Sequence, residues 1–299
     1  MKRSLAILFL FAIYTWSFSV GCSNGDTQKN APTTRLAAPQ RIISTSPALT
    51  ELLFAIGAGD RIVGVTEFCV FPPEAKEIRK IGGIINPSLE TIIGLKADLV
   101  VLGSLNTKLR ENLRATAIPT LFVDESGLGD ILQNIRKLGE ALHLKTEANA
   151  LVENLAMQIE QVKTEAEAEE RKRVMLVVGR SPGSLNDIYV VGGNVFLDDL
   201  IQLAGGENIF GDLTLQYSKI SKEEILARTP EIIVESAHNI KLTDKKKDAM
   251  TNVWGRLSAL PAVKNQRIYF LNEDYLLLPG PRFIHTLTKL KSILHTNDE

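Results

Sequence analysis

SLETIIGLKADLVVLG, residues 88–103, aligns without a gap on SKEEILARTPEIIVES, residues 221–236. Ser88 falls on Ser221, Glu90 on Glu223, Ile92 on Ile225, and Leu99-Val100-Val101 on Ile232-Ile233-Val234. Each copy reads as a helix N-cap, a first-turn carboxylate, an apolar turn and a buried strand. One helix–strand unit is thus written twice, once in each half of the chain.

Between the copies lies TEANALVENLAMQIEQVKTEAEAEERKR, residues 146–173, with no glycine and no proline. Leu151, Val152, Leu155, Ile159 and Val162 recur at three- and four-residue spacing, which predicts a helix with one buried face. About 26 helical residues span about 39 Å, more than one small domain needs but suited to a strut joining two. Its apolar seam covers barely two heptads, short for a coiled coil.

Working outward from the strut, strands and helices alternate. In the first half RIIS is a strand, Ser46-Pro47 opens a helix, and Gly57 closes it. RIVGV, a loop TEFCVFPPEA, the quoted unit, a helix near residues 106–116, a strand at 120–123 and a helix over 127–143 follow. In the second half VMLVV, DIYVV, the helix NVFLDDLIQLAGG, the second unit, the strand RIYFL and a closing helix PRFIHTLTKLKSIL succeed one another. This order predicts an α/β protein of two lobes bridged by one long helix, with a ligand cleft between the lobes. The expected division is 1–21 signal peptide, 22–40 flexible tether, 41–145 first lobe, 146–172 bridging helix and 173–299 second lobe.

The N-terminus argues for export. Lys2 and Arg3 precede LAILFLFAIYTWSFSV, an uncharged run closed by Gly21-Cys22 and a polar stretch. A permanent membrane anchor through the same residues is the alternative reading. SVGC resembles the lipobox of bacterial lipoproteins, which would make Cys22 the lipid-modified residue, although Ser19 stands where leucine is commoner. Cys69 is the only other cysteine, so acylation of Cys22 leaves no disulfide. A formal net charge of −1 on 299 residues carries no nucleic-acid footprint.

Enzyme chemistry is hard to find. There is no Gly-x-Ser-x-Gly elbow, no phosphate-cradling loop and no dinucleotide fingerprint. Cys69 has no evident activating base. His143, His238, His285 and His295 do not fall at ligand spacing, so no metal site is expected; His143 and His295 suit helix C-termini.

SPALTELLFAIGAGDRIVGVTEF, FPPEA, SLETIIGLKADLVV, AGGENIF, SKEEILARTPEIIV, LPAVKNQRIYFL and PGPR occur in that order across residues 41–290. Together they resemble the substrate-binding proteins of ABC importers for vitamin B12, ferric siderophores and haem. The resemblance implies two α/β lobes on a helical backbone and binding without chemistry. It implies an extracytoplasmic, membrane-anchored lipoprotein acting as a monomer beside a permease dimer and its ATPase subunits. The implied cargo is cobalamin or another metal chelate, with no resident cofactor.

In that family one glutamate per lobe docks into arginine pockets of the two permease subunits, positions that fall on Glu90 and Glu223. A first-turn carboxylate also gains about 0.3–1 kcal/mol from the helix dipole, so the two roles coexist. The resemblance places ligand contacts at Ser46, Glu67, Phe68 and Phe71 in the first lobe, and at Arg180, Asp274 and Arg282 in the second. Phe68 and Phe71 could instead cap the core, and Arg282 could merely start a helix. Val70 and Leu278 stand where many relatives and the vitamin B12 binders, respectively, carry charge, so the rim is apolar, which suits a weakly charged chelate. Two other functions remain open at this point: an extracytoplasmic cofactor-processing enzyme and a structural surface lipoprotein.

Overall fold

The computed structural model describes residues 37–124, 126–238 and 240–296. The export segment, most of the tether and Cys22 lie outside the described residues. Ala38 onward forms one compact unit.

The first lobe runs β1 (Ile42–Ser44), α1 (Pro47–Ala55), β2 (Ile62–Gly64), α2 (Leu89–Gly94), β3 (Leu99–Leu102), α3 (Thr107–Leu113), β4 (Thr120–Phe122) and α4 (Leu128–Ala141). Its four strands are all parallel in the order β2-β1-β3-β4. The expected punctuation is present: the Ser46 hydroxyl accepts from the Leu49 N–H at 3.2 Å, and Pro47 begins α1. Gly57, just past α1, has φ +84, a conformation that favours glycine.

The bridging helix α5 covers Lys145–Glu167. It starts one residue before the expected 146 and stops short of 172, because the chain turns and Lys172 already belongs to the next strand. Its 23 residues span about 34 Å. Ala148, Val152, Leu155, Val162 and Ala166 are its buried positions, with Leu151 and Ile159 partly buried beside them. At its N-terminal end α5 crosses α4 closely. A Cβ on Gly139 would lie 2.3 Å from Ala148 Cβ and 3.0 Å from the Leu144 carbonyl.

The second lobe runs β5 (Lys172–Gly179), β6 (Ile188–Val191), α6 (Phe196–Leu203), β7 (Gly206–Asn208), β8 (Tyr217–Ile220), α7 (Lys222–Arg228), β9 (Ile232–Ser236), α8 (Asp244–Trp254), α9 (Pro261–Lys264), β10 (Ile268–Leu271) and α10 (Phe283–Leu294). Strand order is β10-β9-β5-β6-β8, with β7 on β5. Here the sheet is mixed: β6 runs antiparallel to both β5 and β8. The short strands β7 and β8 have no apolar periodicity of their own, so sequence pattern gave no sign of them, and the polar helix α8 shows one only in its last turn, at Met250, Val253 and Trp254. Pro281 precedes the Arg282 N-cap of α10 and does not begin the helix itself.

The two copies of the opening motif fold alike. Ser88 accepts from the Thr91 N–H at 3.2 Å and Ser221 from the Glu224 N–H at 3.1 Å. Each helix ends in a left-handed residue at the same register, Lys96 at φ +49 and Thr229 at φ +44. Asp98 then accepts from the Arg41 N–H, and Glu231 from the Arg173 N–H, both at 2.8 Å. Arg41 and Arg173 in turn donate to the last carbonyls of their helices, at Leu95 and Arg228. The repeat is therefore a complete cap–helix–turn–strand device, with β3 pairing β1 as β9 pairs β5.

One apolar core runs from the first lobe through α5 into the second, joining Leu49, Leu53 and Ile135 to Val152, Leu155, Val174, Leu200 and Phe283. Smaller cores lie on the other face of each sheet, around Ile43, Ile92 and Val100, and around Met175, Ile233 and Trp254. The lobes also meet away from α5. Phe196 donates its N–H to the Ser126 carbonyl, and Asp199 accepts from the Leu128 N–H.

Candidate functional site

Ligands of open parallel sheets bind beyond the carboxyl ends of the strands. In the first lobe that end holds Ser46 after β1 and the loop 66–72 after β2. In the second it holds Arg180 after β5, Glu235 and Ser236 at the end of β9, and residues 272–282 after β10.

The loops after β2 and β10 come together across the lobes. The Arg282 guanidinium donates to Glu51 through Nε at 2.9 Å and Nη2 at 2.6 Å, and to Asp274 through Nη1 at 2.8 Å. It lies 3.8 Å from the Phe71 ring centroid and 5.2 Å from that of Tyr275. Gly280 sits against Ala48 and Glu51, where a Cβ would be 3.2 Å from the Glu51 carboxylate. Phe71, Asp274 and Arg282 are thus one cluster, and Arg282 spans the lobes as well as opening α10. A cavity of about 600 Å³ beside it is lined by Glu51, Phe54, Phe71, Pro72, Pro281 and Arg282 among others.

Burial pushes the Glu51 carboxyl above its ordinary value, and the opposing pull of Arg282 does not fully offset it. Burial also disfavours the charge of Arg282, but its hydrogen bonds to Glu51 and Asp274 outweigh that and hold it more firmly protonated than usual.

Arg180 sits in a second cluster. Its Nε lies 3.0 and 3.1 Å from the two oxygens of Glu235, and its Nη1 donates to the Ser184 carbonyl at 2.9 Å. The Trp254 Nε1–H donates to Glu235 at 2.7 Å, and the guanidinium lies 5.5 Å from the Trp254 ring centroid. Burial raises the Glu235 carboxyl against the opposing effects of Arg180 and Trp254.

The remaining expected residues divide. Ser46 is buried and serves as the α1 cap, so its hydroxyl is committed locally. Glu67 is exposed, and its N–H donates to the Gly82 carbonyl. Phe68 and Phe71 are 58% and 38% exposed, which sets both outside the core. Val70 is also exposed, so the loop presents an apolar tip. Glu90 and Glu223 project from the first turns of α2 and α7 and are exposed. Hydrogen bonds from its own backbone N–H and from the Ser221 hydroxyl hold the Glu223 carboxyl below its ordinary range.

Glu51, Glu235, Tyr275 and Trp254 complete these clusters and were not anticipated. Two of them left a signal in the sequence, a carboxylate within an otherwise apolar run: ALTELLFAI for Glu51 and IIVES for Glu235. Cys69 is a buried free thiol between the Thr50 and Thr66 hydroxyls, each at 3.1 Å. Among the described residues there is no group of acidic, histidine and cysteine side chains that could hold a metal, and no helix long and apolar enough to cross a membrane.

Residues 42–275 match the family model described as periplasmic binding protein. The chain is 27% identical to the vitamin B12-binding protein of Vibrio parahaemolyticus serotype O3:K6 over 253 residues, 84% of this chain and 88% of that one. In structure it is similar to the periplasmic vitamin B12 binding protein BtuF of Vibrio cholerae, with TM-score 0.73 and 25% identity over 86% of this chain and 97% of that one. The periplasmic heme-binding protein RhuT of Roseiflexus sp. RS-1 is similar at TM-score 0.73 and 26% identity, covering 86% and 98%.

Proposed function

Because the chain belongs to the periplasmic binding protein family, and so is a binding protein and not an enzyme, we propose that it captures cobalamin or a related corrinoid outside the cytoplasm. It then delivers this cargo to an ABC permease. The observation that carries the reading is similarity to vitamin B12-binding proteins over 84% of the chain, joined to a cleft rim that is apolar at Phe68 and Val70. Broad, weakly charged chelates suit such a rim, because aromatic faces contribute contact area without demanding ion pairs.

The two clusters support the same reading. Arg180 and Arg282 are already neutralised by Glu235, Glu51 and Asp274. A highly anionic siderophore would have to compete with those carboxylates for each guanidinium. Haem is the second reading, favoured by an equally close fold similarity to a heme-binding protein.

Glu90 and Glu223 are the docking carboxylates of this proposal, one per lobe on equivalent helices. Their equal standing suits a permease dimer served by ATPase subunits. Cys22 is the lipid anchor, residues 1–21 the export signal, and the binding protein works as a monomer. Equilibrium titration of residues 23–299 with cyanocobalamin, hemin and ferric citrate tests the reading. Cyanocobalamin is expected to bind at least tenfold tighter than either competitor, a gap of about 1.4 kcal/mol. Preference for hemin would replace the corrinoid reading with the haem one.

A further inference from the structure

A cavity of about 450 Å³ opens in the second lobe between the loop after β5 and helix α8. Gly179, Pro182, Gly183, Ile240, Met250 and Val253 give it largely apolar walls, and Arg180, Glu235 and Ser236 form its polar floor. One feature of that floor calls for a ligand group. The Ser236 hydroxyl is buried, on a residue 8% exposed, with no hydrogen-bond partner among the described residues. Beside it Arg180 meets both oxygens of Glu235 through the single Nε donor. An unpaired buried hydroxyl costs about 1–3 kcal/mol, so it is the kind of group retained for a partner that arrives later.

We propose that this cavity is a subsite for a neutral carboxamide arm of the ligand, seated on Ser236 and the Arg180–Glu235 pair. A primary amide offers one acceptor and two donors. The Ser236 hydroxyl can donate to the amide oxygen, while Glu235 can accept from the amide nitrogen. A carboxylate in the same place would face the like charge of Glu235, which already engages Arg180 through Nε. His238 and Lys246 also line the cavity, but both are exposed, and water screens their charge. The proposal rests on the corrinoid reading, because corrins carry amide arms around their rim whereas haem carries carboxylates.

The molecule holds its own reporter. The sequence has two tryptophans, Trp16 and Trp254, so residues 23–299 contain Trp254 alone, bonded to Glu235. Its indole N–H resonance is followed while propionamide and, separately, propionate are added. A saturable shift with propionamide, and a shift at least fivefold weaker with propionate, is expected. Ser236→Ala should weaken the propionamide response about fivefold, the worth of one neutral hydrogen bond. Ala249→Leu, which fills the cavity from the exposed wall of α8, should abolish it. An equal or stronger response to propionate, or no response to either, overturns the proposal. Capture of cyanocobalamin is read separately from its visible spectrum. Coloured protein whose indole signal is unmoved and indifferent to Ser236→Ala would sink the subsite and leave corrinoid capture standing.

Discussion

Arg282 of the second lobe grips both carboxylate oxygens of Glu51 in the first, at 2.9 and 2.6 Å, across 231 residues of chain. Phe71 and Tyr275 flank the guanidinium, and Asp274 holds its outer edge. The pair is a cross-lobe tie lying beside the proposed ligand site, so its electrostatics bear on both stability and lobe movement.

The raised Glu51 carboxyl fixes the sign of a pH effect. Between its ordinary value of 4.5 and its higher folded value, the folded state keeps a proton that the unfolded chain has lost. Stability contributed by this group therefore falls as pH rises through that window. Urea unfolding of the wild type and of Glu51→Gln across pH 4 to 8 checks this. The wild type is expected to lose ground to the variant as pH rises. The opposite slope would mean that Arg282 outweighs burial.

Gly139 is set by the close crossing of α4 and α5, where Ala148 leaves no space for a side chain. Gly139→Leu should cost about 1–3 kcal/mol by overpacking. Its expected signature is an earlier thermal midpoint with ligand affinity at the surviving fold unchanged. A neutral substitution would show that the helices can separate at little cost.

Docking makes a prediction that separates binding from transport. Glu90→Ala with Glu223→Ala should leave ligand affinity within about twofold, since both carboxylates sit on exposed first turns. Uptake through the matching permease should fall at least tenfold, with each single variant intermediate. Undiminished uptake by the double variant would remove these glutamates from the interface.

Lobe closure should be modest. The continuous core through α5 and the Glu51–Arg282 tie both resist hinge motion, and bending α5 would break backbone hydrogen bonds. Solution scattering with and without saturating ligand is expected to give nearly superimposable profiles. A large compaction would show that the tie opens.

The architecture was readable because its signals are local. Ser88 and Ser221 cap, Gly57 stops, and the apolar spacing from Val152 to Val162 buries one face of α5. In the second lobe DIYVV was legible as a strand, but β8, YSKI, was missed because it pairs through its backbone and half-exposes its side chains. The site was harder to read for a different reason. Arg180 and Arg282 could be picked out as candidate ligand residues, but their partners Glu235 and Glu51 lie 55 and 231 residues away. No local pattern encodes a pairing of that range, and only the misplaced charge in an apolar run hints at it.

Above all, this chain is expected to hold a corrinoid. Residues 23–299 are mixed with excess cyanocobalamin and desalted, and the visible spectrum of the protein peak is recorded. Corrin absorbance near one equivalent per chain is the predicted result. A colourless protein peak, with all the pigment in the small-molecule fraction, would contradict it.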